Sequence, residues 1–353
     1  LFARDLDILF LSPLIFLEQQ SSQEQEMFPE ISPNIFHLTI PMPHNPLKYL
    51  NAYLLRGSNR NCLIDTGFNR EVCRKALLQA LEELGVQIKN TDVLITHMHS
   101  DHSGLAPALY KQGARIWMSS ADAEVITQAA DWSQVLEYAR INGLPEQDLL
   151  RARDAHPGYK YRPQGEVQTA ELKDGDIISC AGYELRCLLT PGHSRGHVCF
   201  YSEQKGLLFA GDTLLQEITP NISQWLPGRN PLEEYLQSLQ RLQELEVNLV
   251  LPGHRRLFWD HRGRIQELQE HHQKRLQEVL GLVSQQPGTA LDIASRMTWD
   301  LDTPNWEEFP LAQKWFATGE ALAHLSYLES KAQLKKELQG GLLIWSSPAG
   351  AGS

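Results

Sequence analysis

Short apolar runs bounded by turn residues recur along this chain, separated by stretches whose apolar residues fall three and four apart. The runs at 35–40, 49–56 and 61–65 predict strands. From Asn69 to Leu84, helical spacing places Val72, Ala76, Leu77, Ala80, Leu81 and Leu84 together, which predicts a helix. A strand follows over Asp92–Thr96, a helix over Ser103–Gln112, a strand over Ala114–Met118 and a long helical stretch over Ser120–Leu150. Residues 154–168 read as a loop. Strands are predicted at 176–180, 183–189, 197–202 and 206–210, a helix at 231–245, and a last strand over Asn248–Leu251. Strands and helices thus alternate in two similar halves. That order predicts an α+β fold of two sheets packed face to face with helices outside.

The pattern changes after Arg262. Arg264–Val283 predicts a long amphipathic helix, and Thr289–Met297 a shorter one that starts at a Gly288-Thr289 cap signal. Trp306–Leu334 reads as mostly helical, and 334–338 with 342–345 as a hairpin. Three helices and a hairpin make the order of a winged helix. The chain therefore divides into an N-terminal extension at 1–27, a sandwich at 28–261, a winged-helix-like region at 262–346 and a tail at 347–353. Ile8–Leu17 is too short for a membrane span, and it lacks a basic lead and a small-residue cleavage site.

Composition narrows the function. The chain has 353 residues and a formal net charge of -11, which opposes nonspecific attraction to nucleic acid or anionic membrane. Five cysteines, without a Cys-x-x-Cys, argue against a disulfide scaffold and for a reducing cytoplasm. The C-terminal region carries nine Lys and Arg against eleven Asp and Glu. A DNA-reading helix needs a basic face. The region is instead expected to pack on the sandwich and wall its pocket, or to join a homodimer partner.

The chemistry is concentrated in Thr96-His97-Met98-His99-Ser100-Asp101-His102, which follows the apolar run Val93-Leu94-Ile95. Alternate side chains of an extended segment face one side, so His97, His99 and Asp101 can share a site, with His102 turning in beside them. Imidazole nitrogen and carboxylate oxygen suit zinc, iron or manganese. Three later loops each put one ligand-type residue beside a glycine after an apolar run: Pro191-Gly192-His193, Ala210-Gly211-Asp212 and Pro252-Gly253-His254.

Across residues 28–260 this set resembles the metallo-β-lactamase superfamily. The resemblance implies an αββα sandwich holding two divalent metal ions, zinc foremost, at the edge of its sheets. His97, His99 and His193 would bind one ion and Asp101, His102 and His254 the other, with Asp212 bridging. A bridging hydroxide would attack a small ester, thioester or lactone, and Asp101 would orient it and receive its proton. Asp65, in Leu63-Ile64-Asp65-Thr66-Gly67, resembles the aspartate that orients a ligand from behind. His197 is either a second such residue or a structural histidine.

Asp212, where one β-lactamase class would need Cys nearby, disfavours β-lactam hydrolysis. His99, where the diiron flavoproteins carry Glu, disfavours that branch. The pattern resembles glyoxalase II-like, lactonase-like and RNase Z-like hydrolases, and the lack of a long insertion between Asp212 and His254 disfavours the nuclease branch with an inserted domain. Alternatives are a phosphodiesterase or RNA-processing nuclease with the same site, or a non-enzymatic metal-bound regulator. His44, His156, Tyr159, Tyr161 and Trp225 lie in loops that border the pocket or simply pack. Arg229 reads as a solvated loop residue. His261, His271, His272 and His324 read as surface or packing residues. The helical stretch within 120–165 is expected to cap the pocket.

Overall fold

A computed structural model describes residues 28–127, 132–300 and 305–348. The extension expected at 1–27 and most of the tail lie outside the described residues. One sheet has seven strands in chain order: β1 (Glu30–Ser32), β2 (Ile35–Pro41), β3 (Tyr49–Leu55), β4 (Asn61–Ile64), β5 (Thr91–Leu94), β6 (Arg115–Met118) and β7 (Thr169–Glu171). Its first four strands pair antiparallel, and β4 to β7 run parallel. The second sheet comprises β8 (Ile177–Cys180), β9 (Tyr183–Leu189), β10 (Val198–Ser202), β11 (Leu207–Gly211) and β12 (Leu249–Pro252). In it only β11 and β12 pair in parallel.

Period-two alternation sorts the side chains of these strands between two cores. Tyr53, Leu55, Cys62, Ile64 and Leu94 of the first sheet meet Val198, Phe200, Phe209 and Leu251 of the second. The intervening residues Leu54, Leu63 and Val93 point the other way, onto Leu77 and Leu81 of α1 (Glu71–Glu83) and Leu109 of α3 (Ala106–Tyr110). Cys199, Tyr201, Leu208 and Val250 likewise turn outward, onto Leu232, Tyr235 and Leu239 of α8 (Pro231–Gln243). Both faces of the central strands are buried, which is why they read as nearly unbroken apolar runs. The result is the expected αββα layering.

Asp92 locks the register of β4, β5 and β6. Arg60 reaches it with Nε and Nη2 at 3.0 Å each, Arg115 at 2.5 and 2.7 Å, and Trp117 Nε1 at 3.2 Å. Burial pushes the Asp92 carboxyl up, and these donors outweigh it and hold it below the usual range.

The helices between β5 and β7 differ from the reading above. Ser100–Ser103 (α2) and α3 replace one helix at 103–112. The stretch at 120–150 is divided into α4 (Ser120–Thr127), α5 (Ser133–Ile141) and α6 (Glu146–Ala155), with 128–131 outside the described residues. Pro145, extended at the N-cap of α6, cannot continue a helix from α5. The loop expected at 154–168 opens with a further turn, α7 (Pro157–Lys160), capped by His156.

The C-terminal region consists of α9 (His261–Gln285), α10 (Ala290–Arg296), α11 (Leu311–Ser330) and a hairpin of β13 (Lys335–Gln339) and β14 (Leu342–Ser346). A reciprocal Thr289–Asp292 capping box starts α10. Ile265, Val279, Ile293, Leu322 and Trp345 from this region share one core with Tyr201, Leu208 and Tyr235. No helix among the described residues is long and apolar enough to cross a membrane.

Candidate metal centre

Loops leaving the carboxyl ends of β4, β5, β9, β11 and β12 converge at one edge of the sandwich, and they carry all nine residues singled out for the site. Three groups of ligand atoms each lie within 4.8 Å of one another: His97, His99 and His193; His97, His102 and Asp212; and Asp101, His102 and His254. Asp212 stands between the sets. Its Oδ1 is 3.5 Å from His102 Nε2, and its Oδ2 is 3.6 Å from both His193 Nε2 and His254 Nε2. Asp101 Oδ2 is 3.2 Å from His254 Nε2. Gly253 leaves room for this: a Cβ there would stand 2.5 Å from Asp212 Oδ1.

The outward nitrogens fix the inward ones. His193 Nδ1 donates to the Asn221 carbonyl and His254 Nδ1 to the Tyr49 carbonyl, both at 2.9 Å. His102 Nδ1 donates to Asp65 Oδ2 at 2.7 Å. The Thr96 hydroxyl donates to Asp65 and accepts from His97 Nδ1 at 3.0 Å. A ring that donates through Nδ1 presents an Nε2 lone pair when neutral, the arrangement that orients metal-binding histidines. The buried Nε2 atoms of His102, His193 and His254, and Oδ1 of Asp212, have no hydrogen-bond partner. Buried polar atoms are ordinarily satisfied, so four such orphans within one cluster fit bound cations there. His97 Nε2 and His99 Nδ1 also face each other at 3.0 Å.

The electrostatics divide the cluster in two. Burial lowers His97 well below the usual imidazole range, brings His99 down to about 3, and lowers His193. Burial pulls His102 and His254 the same way. The carboxylates of Asp212, Asp65 and Asp101 outweigh it at His102, and those of Asp212 and Asp101 outweigh it at His254, so both titrate high. Burial pushes Asp101 and Asp212 up, and the facing histidines more than offset it, holding Asp101 at about 2 and Asp212 well below the usual carboxylate range. Divalent cations suit both halves. The neutral histidines would supply lone pairs to such ions, and His102 and His254 would give up their protons to bind.

Asp65 lies behind the cluster in left-handed backbone, with φ of 61°, a conformation that Asp tolerates better than most side chains. It accepts from the Thr96 N–H at 2.9 Å as well as from His102. His197 is wholly buried; its Nε2 accepts from the Asp212 N–H at 3.1 Å, and its Nδ1 meets Thr190 and Thr213. One residue escaped the sequence reading. Asp122, near the start of α4, accepts from the Met98 N–H at 2.9 Å, Ser194 Oγ at 2.5 Å and the Gly196 N–H at 2.7 Å. It ties the His97–His99 loop to the His193 loop.

The sequence profile of the metallo-beta-lactamase superfamily matches residues 47–254, which contain the whole cluster. The chain belongs to this superfamily. A second profile, the metallo-beta-lactamase-like C-terminal domain, matches residues 276–345. The chain is 30% identical over 234 residues to an atrochrysone carboxyl ACP thioesterase of Aspergillus fumigatus, covering 66% of this chain and 59% of that protein. It is 30% identical over 221 residues to the acyl-coenzyme A thioesterase MBLAC2 of Homo sapiens, covering 59% and 74%. The chain thus spans less than two thirds of the fungal relative. A solved metallo-beta-lactamase family protein from Thermus thermophilus superposes with a TM-score of 0.77 at 31% identity, covering 90% of this chain and 100% of that one.

Around this superfamily site, the loop residues mostly pack. His156 lies between Trp132 and Phe316, Tyr161 against Phe68, and Trp225 on Trp315. Arg229 pairs with Glu234. His272 and His324 are buried against each other under α8. Ser100 Oγ donates to the Pro157 carbonyl at 3.1 Å, linking α7 to the loop that carries His99 and Asp101.

Proposed function

We propose that this chain is a metal-dependent hydrolase of acyl thioesters, with small esters and lactones as neighbouring substrates. The observation that carries the reading is the convergence of seven ligand-type side chains, four of which (His102, His193, His254 and Asp212) bury an inward atom without a hydrogen-bond partner. His97, His99 and His193 would hold one divalent ion and Asp101, His102 and His254 a second, with Asp212 shared. Zinc is the first choice for this donor set. Such ions, when bound, polarise a carbonyl oxygen and make water acidic enough to supply a nucleophile near neutral pH. The two thioesterase relatives favour the thioester among the acyl substrates.

The remaining steps belong to the protein. Asp101 keeps some exposure at the mouth of the cluster, where its carboxylate orients the attacking water and takes its proton. Asp65 holds the His102 ring, and His197 holds the backbone of Asp212. We assign residues 28–261 to the hydrolase sandwich and 262–346 to a packing role in place of nucleic-acid reading. Five free thiols fit a reducing compartment.

The experiment is a rate panel with zinc-loaded protein: short- and long-chain acyl-CoA thioesters, an acyl lactone, an aryl ester and a chromogenic phosphodiester. Thioester turnover with kcat/KM of about 10⁴ M⁻¹s⁻¹ or higher is expected. Turnover of the phosphodiester alone would replace this reading with the nuclease one.

A further inference from the structure

The outward partners of the four oriented imidazoles are not equivalent. Thr96, Asp65 and Tyr49, which hold His97, His102 and His254, belong to the first sheet and its loops. The carbonyl that holds His193 belongs to Asn221, in the segment between β11 and α8. That segment is docked on α11 of the C-terminal region. The Gln224 N–H donates to the Gly319 carbonyl at 3.0 Å. The Trp225 ring stacks on Trp315, with centroids 4.1 Å apart and planes at 23°. Asn221 Nδ2 reaches Glu320 Oε2 at 3.5 Å, and Ser223 Oγ donates back to Asn221 Oδ1. Glu320 is anchored in turn, 3.4 Å from Arg275 Nε, and Arg275 is pinned to Glu278 and the Thr298 carbonyl.

Gly319 makes the approach possible. A Cβ on Gly319 would stand 2.7 Å from Trp225 Nε1 and 2.9 Å from Ser223 Oγ. Helical backbone does not call for glycine there, since Ala is the better helix former. The missing side chain therefore serves the contact and not the helix.

We propose that α11 is a built part of the metal centre: Gly319 and Glu320 are positioning residues that set the Asn221 carbonyl and, through it, the His193 ring. The C-terminal region then tunes one half of the centre from outside the sandwich. This rests on the reading of His193 as a metal ligand. Partners of ligating histidines typically carry about 10- to 100-fold in metal affinity.

The test is Gly319→Ala in the full chain, read by zinc affinity in chelator competition and by the visible spectrum of the cobalt-substituted protein. One zinc site is expected to weaken by about tenfold or more. The cobalt bands should shift, while the metal-free variant keeps the circular dichroism of the wild type. Should Gly319→Ala not fold, Trp225→Ala opens the same seam from the loop side and should weaken the same site. Folded variants with wild-type zinc affinities and cobalt spectra would overturn the inference while leaving the hydrolase reading intact. A wild-type protein that binds no zinc or cobalt would overturn both.

Discussion

Replacing Asp212 by Ala is expected to lower kcat/KM for a thioester by roughly 10³-fold or more, about 4 kcal/mol in the activation barrier. The carboxylate faces His102, His193 and His254 at once, at 3.5–3.6 Å. Its loss would leave the His102 and His254 rings with Asp101 as their one shared counter-charge, and both halves of the centre would lose a donor. The backbone contact of residue 212 with His197 and the buried β11 strand do not depend on the carboxylate, so the fold should survive. Steady-state rates with zinc analysis of the same sample check this. A variant within tenfold of wild type would mean that Asp212 does not join the two halves.

The second large effect is expected at Asp122. Asp122→Ala should cost about 3–5 kcal/mol of stability, because three buried donors lose a charged acceptor together. Burial pushes this carboxyl up, and the bonds from Ser194, Met98 and Gly196 pull against that. The same change releases the His97–His99 loop from the His193 loop, so zinc affinity should fall along with the denaturation midpoint. Asp122→Asn keeps one acceptor oxygen and should recover part of both losses. Denaturant titration of the metal-free protein isolates the structural share. A change within about 0.5 kcal/mol, the usual range for surface sites, would show that the tie carries nothing.

The contrast between these two residues shows what was legible in the sequence. Asp212, His193 and His254 each follow an apolar run and sit beside a glycine, and His97, His99, Asp101 and His102 follow another such run, so the candidate ligands stood out in the sequence and the family resemblance grouped them. Asp122 has no such frame. It reads as an ordinary acidic residue in the first turn of α4, and its partners lie 24 to 74 positions away. Asn221 was less visible still, because its backbone carbonyl does the holding and that carries no sequence signal. The strands β1 and β7 have three residues each, too few for a period to show. The break between α5 and α6 did have a signal, in Pro145, but helical spacing on both sides masked it.

Counting metal ions per chain after equilibrium dialysis against zinc, with the protein stripped by chelator beforehand, tests the central claim most directly. If the seven converging ligand-type side chains hold metal as proposed, the account predicts two zinc ions per chain, with thioester hydrolysis returning as they bind. A stripped protein that takes up no zinc, or that hydrolyses the thioester equally well without it, would contradict the account.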